Sequence, residues 1–159
     1  MRARAATPAD AAAIAVIYNQ GIEDRNATYE TRLRTADEIH EWFDGVHPVI
    51  VVEEGDEIVA FAATSSYRPQ RECYAGIAEA SVYVARGFRG RGAGRLALQA
   101  LIESATHAGF WKLLSRIFPE NTASRALVQS LGFREVGFYE KHAKLEGIWR
   151  DVVIVERLL

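Results

Sequence analysis

This 159-residue sequence predicts a mixed α/β fold, one sheet with helices on both faces, and three observations carry the prediction. Short runs rich in β-branched and aromatic residues alternate with stretches of helical periodicity in the order β-α-α-β-β-β-α-β-α-β-β. Cap residues and glycines punctuate the helical stretches. One strand-like run, Ser81-Val-Tyr-Val-Ala85, passes directly into the segment Arg86-Gly-Phe-Arg-Gly-Arg-Gly-Ala-Gly94, which in turn opens a helix.

Taken in order, Arg2 to Ala6 reads as the first strand. Thr7-Pro8-Ala9-Asp10 opens the first helix with Thr as N-cap, proline in the first turn and a carboxylate three residues after the cap; Ile14, Ile17 and Tyr18 form its apolar stripe. A polar loop follows through Asn26-Ala-Thr-Tyr-Glu30. Thr35-Ala-Asp-Glu38 is a capping box for a second helix that carries Ile39, Trp42 and Phe43. Val49 to Glu53 and Ile58 to Thr64 flank Glu54-Gly-Asp56 as a hairpin. Ala75 to Ala85 is the next strand, and the third helix, Leu96 to His107, is closed by Gly109. Trp111 to Phe118 is a β segment, Thr122 to Leu131 a helix stopped by Gly132, and Glu135 to His142 and Ile148 to Leu158 are the last two strands.

Composition bounds the function. A chain of this length is expected to form one domain that buries about two-thirds of the surface its unfolded form exposes. Lys and Arg number 19 against 21 Asp and Glu, a balance that argues against nucleic-acid binding through a basic surface, so any arginine cluster acts locally. Cys73 is the sole cysteine, which excludes an intrachain disulfide and suits a reducing compartment; no histidine stands beside it to make it a nucleophile. No apolar run approaches the ~18 residues of a membrane span, and Met1-Arg-Ala-Arg-Ala-Ala-Thr7 has no signal-peptide core, so a cytoplasmic location is expected. His40, His47, His107 and His142 show no ligand spacing, and no metal is expected.

The glycine-rich run predicts a phosphate cradle. Glycines permit positive φ and let main-chain N–H groups approach an anion, and the following helix adds the partial positive charge of its N-terminus. Arg86, Arg89, Arg91 and Arg95 would place full charges around the same point. The bland alternative is a glycine turn with solvated arginines. In the strand before the loop, alternation places Glu79, Ser81 and Tyr83 on one face and Ala80, Val82 and Val84 on the other. A carboxylate in an apolar strand is costly unless it is paired or faces a cleft. Glu79 is therefore either salt-bridged to a neighbouring strand or a working acid–base group, which partial burial would tune.

The strand followed by Arg89-x-x-Gly92-x-Gly94, Asn121 within Phe118-Pro-Glu-Asn-Thr-Ala-Ser124, and the Leu131-Gly-Phe133 ending together resemble the GCN5-related N-acetyltransferase superfamily over nearly the whole chain. More narrowly, Ala27-Thr-Tyr-Glu30, Glu79-Ala-Ser-Val-Tyr-Val84 and Gly147-Ile-Trp-Arg-Asp-Val-Val153 resemble the phosphinothricin and methionine sulfoximine acetyltransferases, and among these the arsinothricin N-acetyltransferases. The resemblance implies a single N-acetyltransferase domain over residues 1–159, with a mostly antiparallel sheet splayed at the cofactor strand. It implies that the amides of Arg89, Gly90, Arg91, Gly92, Ala93, Gly94 and Arg95 hold the pyrophosphate of acetyl-CoA. The backbones of Val82, Tyr83 and Val84 would meet the pantetheine, and Asn121 and Ser124 would be cofactor contacts, although Asn121 at a helix start is by default a cap.

Glu79 becomes the expected general base, directly or through a water, because an amine nucleophile is mostly ammonium at neutral pH. The substrate site is expected at Tyr29 and Glu30 together with the loop Ser66 to Tyr74, where Tyr67, Arg68 and Arg71 stand; guanidinium forks suit a substrate bearing two acidic groups, and solvated surface arginines are the alternative. The usual tyrosine acid of the superfamily, four residues before the Gly-Phe pair, is here Val128, which leaves Tyr139, His142 or solvent to protonate the leaving thiolate. A homodimer acting on the α-amine of a small glutamate-like amino acid is the reading that follows. The alternatives are acetylation of a protein N-terminus or a polyamine, a non-catalytic acyl-CoA sensor, or a nucleotide-binding module.

Overall fold

The computed structural model describes all of Met1–Leu159. Its strands are β1 (Arg2–Ala5), β2 (Val49–Glu54), β3 (Glu57–Ser66), β4 (Ile77–Val84), β5 (Lys112–Ile117), β6 (Arg134–Leu145) and β7 (Ile148–Leu158). Its helices are α1 (Ala11–Asp24), α2 (Ala36–His40), α3 (Ala93–His107) and α4 (Thr122–Ser130), with short 3-10 turns at Pro8–Asp10, Glu72–Tyr74 and Arg86–Phe88. The strands form one seven-stranded sheet in the order β1-β2-β3-β4-β5-β7-β6, in which only β4 and β5 run parallel.

Alternation along the strands divides the core in two. Val49, Val51, Phe61 and Ala63 face α1 and α2, where they meet Ile14, Ile17 and Ile39. Ile50, Val52, Ala60 and Ala62 face the other way and pack beneath Leu98, Leu101 and Ile102 of α3. Each such Val, Ile, Leu or Phe side chain, fully buried, contributes about 1.5–3 kcal/mol. The helices therefore lie on both faces, and β4 runs between them with one face to each.

Several boundaries differ from the periodicity. α2 ends at His40, and Trp42 and Phe43 pack against the α1-side core from beyond its end, because a five-residue helix suffices to seat Ile39. α3 begins at Ala93, three residues before its first leucine, because Gly92 supplies the left-handed turn (φ 89°) that starts it. β6 runs on to Leu145, and a tight turn at Glu146 and Gly147, both with positive φ, joins it to β7. Thr35 caps α2 as expected, its hydroxyl accepting from the Glu38 amide.

The opening of α1 is tied to the sheet. Asp10 accepts from the Thr7 amide (2.8 Å) and takes both ends of the Arg4 guanidinium (2.8 and 2.9 Å), while Arg4 also reaches Glu53 on β2. Arg4 holds the Asp10 carboxyl below its ordinary range, outweighing the opposing effect of burial. A depressed folded value means that this stability is complete above the unfolded pKa of about 3.9 and is lost as pH falls through the folded one. Asp10→Asn is expected to cost about 1–2 kcal/mol at pH 7, the size of a lost charge-assisted bond. Urea melts of both proteins should show that difference shrinking below about pH 4.

Candidate active site

β4 and β5 pair over only three positions, Ile77 with Lys112, Ala78 with Leu113 and Glu79 with Leu114. Both strands continue, β4 to Val84 and β5 to Ile117, but without pairing, so the sheet opens into a wedge directly after Glu79. Ser115 bridges the start of the wedge, its Oγ donating to the Ala80 carbonyl at 2.8 Å. That bond also sets the parity of the backbone. Residues of β4 point their N–H and C=O alternately to either side, so Ala80, Val82 and Val84 face the wedge, whereas Ser81 and Tyr83 face β3. The expected backbone contact from Tyr83 is thus corrected: its peptide groups are on the β3 side, and only those of Val82 and Val84 face the wedge, where the Val84 carbonyl accepts from Arg89 at 3.2 Å.

Two cavities meet at the wedge. The smaller, about 60 Å³, runs between β4 and β5 and is lined by Val82, Ile117, Asn121, Ser124 and Val128 among others. The larger, about 700 Å³, opens on the α1 side over Glu79, Ser81 and Tyr83, with Tyr18, Tyr29, Glu30 and Trp42 as walls. Ala80, Ser81, Ser115 and Arg116 line both. Glu79 is half-buried at this junction, and its Oε2 accepts from Arg116 on β5 at 3.3 Å. The carboxylate is therefore both salt-bridged to a neighbouring strand and open to the cleft; the two readings of its sequence position coexist. Tyr83 stacks on Phe61 at 5.4 Å and meets Tyr18 edge-on at 5.1 Å, and burial pushes its phenol well above the ordinary range, so it is a wall and not an acid.

At the far end of β4 the glycine loop bends through Gly90 (φ 76°) and Gly92 (φ 89°) into α3. None of the N–H groups from Arg89 to Arg95 donates to another group of the protein. Seven successive free donors at a helix start, with open space over Gly90 and Gly92, fit a diphosphate. The arginine side chains behave otherwise than expected. Arg86 and Arg89 both turn back to Asp24 at the end of α1 (2.8 and 2.7 Å), Arg91 reaches Glu54 (3.3 Å) and covers Phe88, and Arg95 bonds Ser130 (2.7 Å). The guanidiniums brace the loop, because each finds an acceptor on a neighbouring element, and the main chain is what faces outward. Gly92→Val would put a β-branched residue at φ 89°, and strain of about 1–3 kcal/mol there should raise the acetyl-CoA KM roughly 5- to 100-fold in a thiol-release assay while kcat changes little.

Asn121 is a cap: its Oδ1 accepts from the Ser124 amide (3.2 Å), and its Nδ2 donates to the Asn26 carbonyl (3.3 Å). With Ser124 it lines the smaller cavity, and it also fastens the loop that carries Tyr29 and Glu30. Tyr29 packs on Phe118 at 5.0 Å and donates to the Arg150 carbonyl; Glu30 lines the larger cleft and pairs with Arg34 at 2.8 Å. Tyr67, Arg68 and Arg71 do not line either cavity of their own chain. They lie on the loop after β3, where Arg68 covers Tyr67 and Arg71 covers Tyr74, because β3 runs on to Ser66 and carries the loop past the cleft rim. Tyr139 and His142 stand on exposed β6, away from both cavities, so neither is placed to protonate a thiolate at the wedge. No three His, Cys, Asp or Glu side chains are grouped as metal ligands.

Sequence reasoning missed Arg116, Tyr18, Trp42 and the pair Asp44 and His47, all of which line the larger cleft. Arg116 had a usable signal: a charge in the apolar strand that pairs with β4 calls for a partner as much as Glu79 does.

An open sheet edge, a run of free amides at the head of α3 and a carboxylate where two cavities meet define an acyltransferase that draws its acyl group from a phosphate-bearing thioester. The chain belongs to the Acetyltransferase (GNAT) family, whose pattern matches residues 16–133. It is similar to the L-methionine sulfoximine/L-methionine sulfone acetyltransferase of Pseudomonas paraeruginosa, 33% identical over 96% of this chain and 91% of that one. The structure overlays on a Sinorhizobium meliloti GNAT superfamily phosphinothricin acetyltransferase solved with AcCoA (TM-score 0.90, 28% identity, 99% and 88% of the two chains). It also overlays on a Ribosomal-protein-alanine N-acetyltransferase from Brucella melitensis (TM-score 0.94, 34% identity, all of both chains).

Proposed function

We propose that this chain transfers the acetyl group of acetyl-CoA to the α-amine of a small glutamate-like amino acid of the phosphinothricin, methionine sulfoximine or arsinothricin type. The observation that carries the reading is the position of Glu79, the last paired residue of β4, at the meeting point of the cofactor wedge and the larger cleft. Loop amides from Arg89 to Arg95 would hold the diphosphate, and the Val82 peptide would pair with the pantetheine. Acetyl-CoA then supplies a thioester carbonyl that enters the junction beside Ser81 and Ser115.

Glu79 takes the proton of the substrate ammonium, directly or through a water. The freed nitrogen lone pair attacks the carbonyl carbon, a C–N bond forms, the C–S bond breaks with its electrons leaving on sulfur, and the nitrogen releases its second proton to solvent as the amide forms. With Val128 in the wedge, and with Tyr83, the one phenol that lines it, pushed up by burial, solvent protonates the thiolate. The product has lost its ammonium charge, so an antimetabolite amino acid would no longer fit a site that binds that charge. The larger cleft suits a small amino acid, and two of its acids are paired with arginines in place: Glu30 with Arg34 and Glu79 with Arg116.

A second reading, acetylation of a protein N-terminus, is favoured by the similarity to the Brucella melitensis protein. Thiol release with acetyl-CoA across phosphinothricin, methionine sulfoximine, arsinothricin, glutamate, spermidine and an alanine-terminated peptide separates the readings. Turnover on the amino acids supports the proposal; turnover confined to the peptide or to spermidine overturns it.

The same reading includes a homodimer. The β6–β7 hairpin leaves Phe138, Tyr139, Ile148 and Trp149 half or more exposed on one unpartnered region of the sheet, an apolar area that a second copy would cover. Sedimentation of the wild type against a Phe138→Ser/Trp149→Ser double variant tests it. A cytoplasmic site of action belongs to this reading too, since Cys73 is an exposed free thiol.

A further inference from the structure

We infer that Arg116 is a specificity-determining residue that receives the α-carboxylate of the substrate, so that the Glu79–Arg116 pair reads the zwitterionic head of a free amino acid; this rests on the amino-acid reading above. The first observation is placement. Glu79 pairs with Leu114 across the β4–β5 ladder, so Leu114 and, two residues on, Arg116 share the α1 face of the sheet with Glu79. From Lys112 to Ile117 the other edge of β5 is paired to β7, which fixes the root of Arg116 while β4 departs. The side chain lines both cavities and is half-exposed there.

The second observation is that its guanidinium is not saturated. Arg116 Nη2 donates to Glu79 Oε2 at 3.3 Å, and Nε and Nη1 have no acceptor in the protein. The neighbouring arginines are engaged elsewhere. Arg34 pairs with Glu30 and Glu38, while Arg150 lies over the Phe118 ring at 4.2 Å and reaches Glu120 and the Arg25 carbonyl, both at 3.5 Å. Neither lines the larger cleft, where Arg116 is the one arginine and no lysine stands. A guanidinium stays charged at neutral pH, and its planar fork can hold Glu79 along one edge and a second carboxylate along another.

The third observation is complementarity. An amino acid carries its ammonium and its carboxylate on one carbon, and the cleft offers a carboxylate and a guanidinium in contact. Laid over that pair in the opposite sense, the ammonium meets Glu79, its proton acceptor, and the carboxylate meets Arg116. Ala80 and Ser81, next to Glu79 on β4, line both cavities, so an amine held this way stands at the mouth of the wedge. The first residue of a protein has a peptide carbonyl where the free amino acid has its carboxylate, and spermidine has methylenes; each leaves the fork without an anion. Two other roles for Arg116, a brace for Glu79 alone and a partner for the oxyanion of the addition intermediate, would act on every amine substrate alike.

The test takes methionine sulfone and phosphinothricin, each as the free amino acid and as its α-carboxamide, and compares kcat/KM in the wild type and in Arg116→Gln. The less basic amine of the carboxamides affects both proteins, so the readout is the change in the acid-to-amide ratio between them. Loss of one charge-assisted bond should lower that ratio about 10- to 100-fold, mostly through the KM of the free acids. Arg116→Lys, which keeps the charge without the fork, should retain part of the preference, and it carries the test if the glutamine variant does not fold. A ratio that moves by less than about threefold in Arg116→Gln, or not at all in Arg116→Lys, overturns the assignment whatever the loss of turnover common to acid and amide. A wild type that acetylates none of the four compounds would instead defeat the amino-acid reading, so the two failures are distinguishable.

Discussion

Glu79→Gln is expected to lower kcat by about 10²- to 10³-fold, with the KM for acetyl-CoA within about twofold of wild type, because a positioned general base contributes on that scale and the cofactor is held elsewhere. Glutamine keeps the shape of the side chain and can still meet Arg116, so the wedge geometry should persist. The deficit should narrow as pH rises above about 8, where free α-amine accumulates and needs no acceptor. Thiol release followed from pH 6 to 10 for both proteins measures this. A variant with wild-type turnover at pH 7 would move the proton acceptor away from β4 altogether. Arg116→Gln provides the complementary case: it removes the ion pair and leaves the base, so it should affect amino-acid KM more than kcat.

Phe61→Ala is expected to destabilise the fold by about 3–5 kcal/mol, the cost of removing a large aromatic side chain from a closed core. Phe61 is fully buried on β3 and stacks on Tyr83, with Trp42 at 5.8 Å and Tyr18 at 6.3 Å. Tyr18, Trp42 and Tyr83 are walls of the larger cleft, so the hole left behind lies directly beneath that cleft. Urea denaturation should show a lower midpoint with an unchanged slope. Amino-acid KM should rise as the walls relax, while acetyl-CoA binding, which depends on the opposite end of β4, should hold. Stability unchanged within 1 kcal/mol would mean that the aromatic cluster closes over the gap, contrary to the packing described.

Much of the site was legible because its signals are local. The glycine loop, the free amides that follow it and the face on which Glu79 stands depend on residues within a few positions of one another. What was not legible was long-range. Arg68 and Arg71 lie close to Glu79 in the chain, yet they are carried past the cleft. Arg116, 37 residues away, is brought against it by the parallel β4–β5 pairing. Tyr83 was placed on the right face and assigned the wrong backbone direction, since the hydrogen-bonding parity of a strand is set by its neighbours and not by its own sequence.

By itself the sequence determined where the helices start, that the β4–α3 loop can hold an anion and that Glu79, Ser81 and Tyr83 share a face. Caps, positive-φ glycines and the two-residue repeat of a strand act over short distances and need no partner to be read. Only the tertiary structure decided where β4 parts from β5, that the loop arginines brace the fold instead of facing the ligand, and that His47 and Arg116 share a cleft with Glu79. Those outcomes follow from strand register and from competition among distant acceptors for each guanidinium, quantities that exist only once the chain has closed on itself.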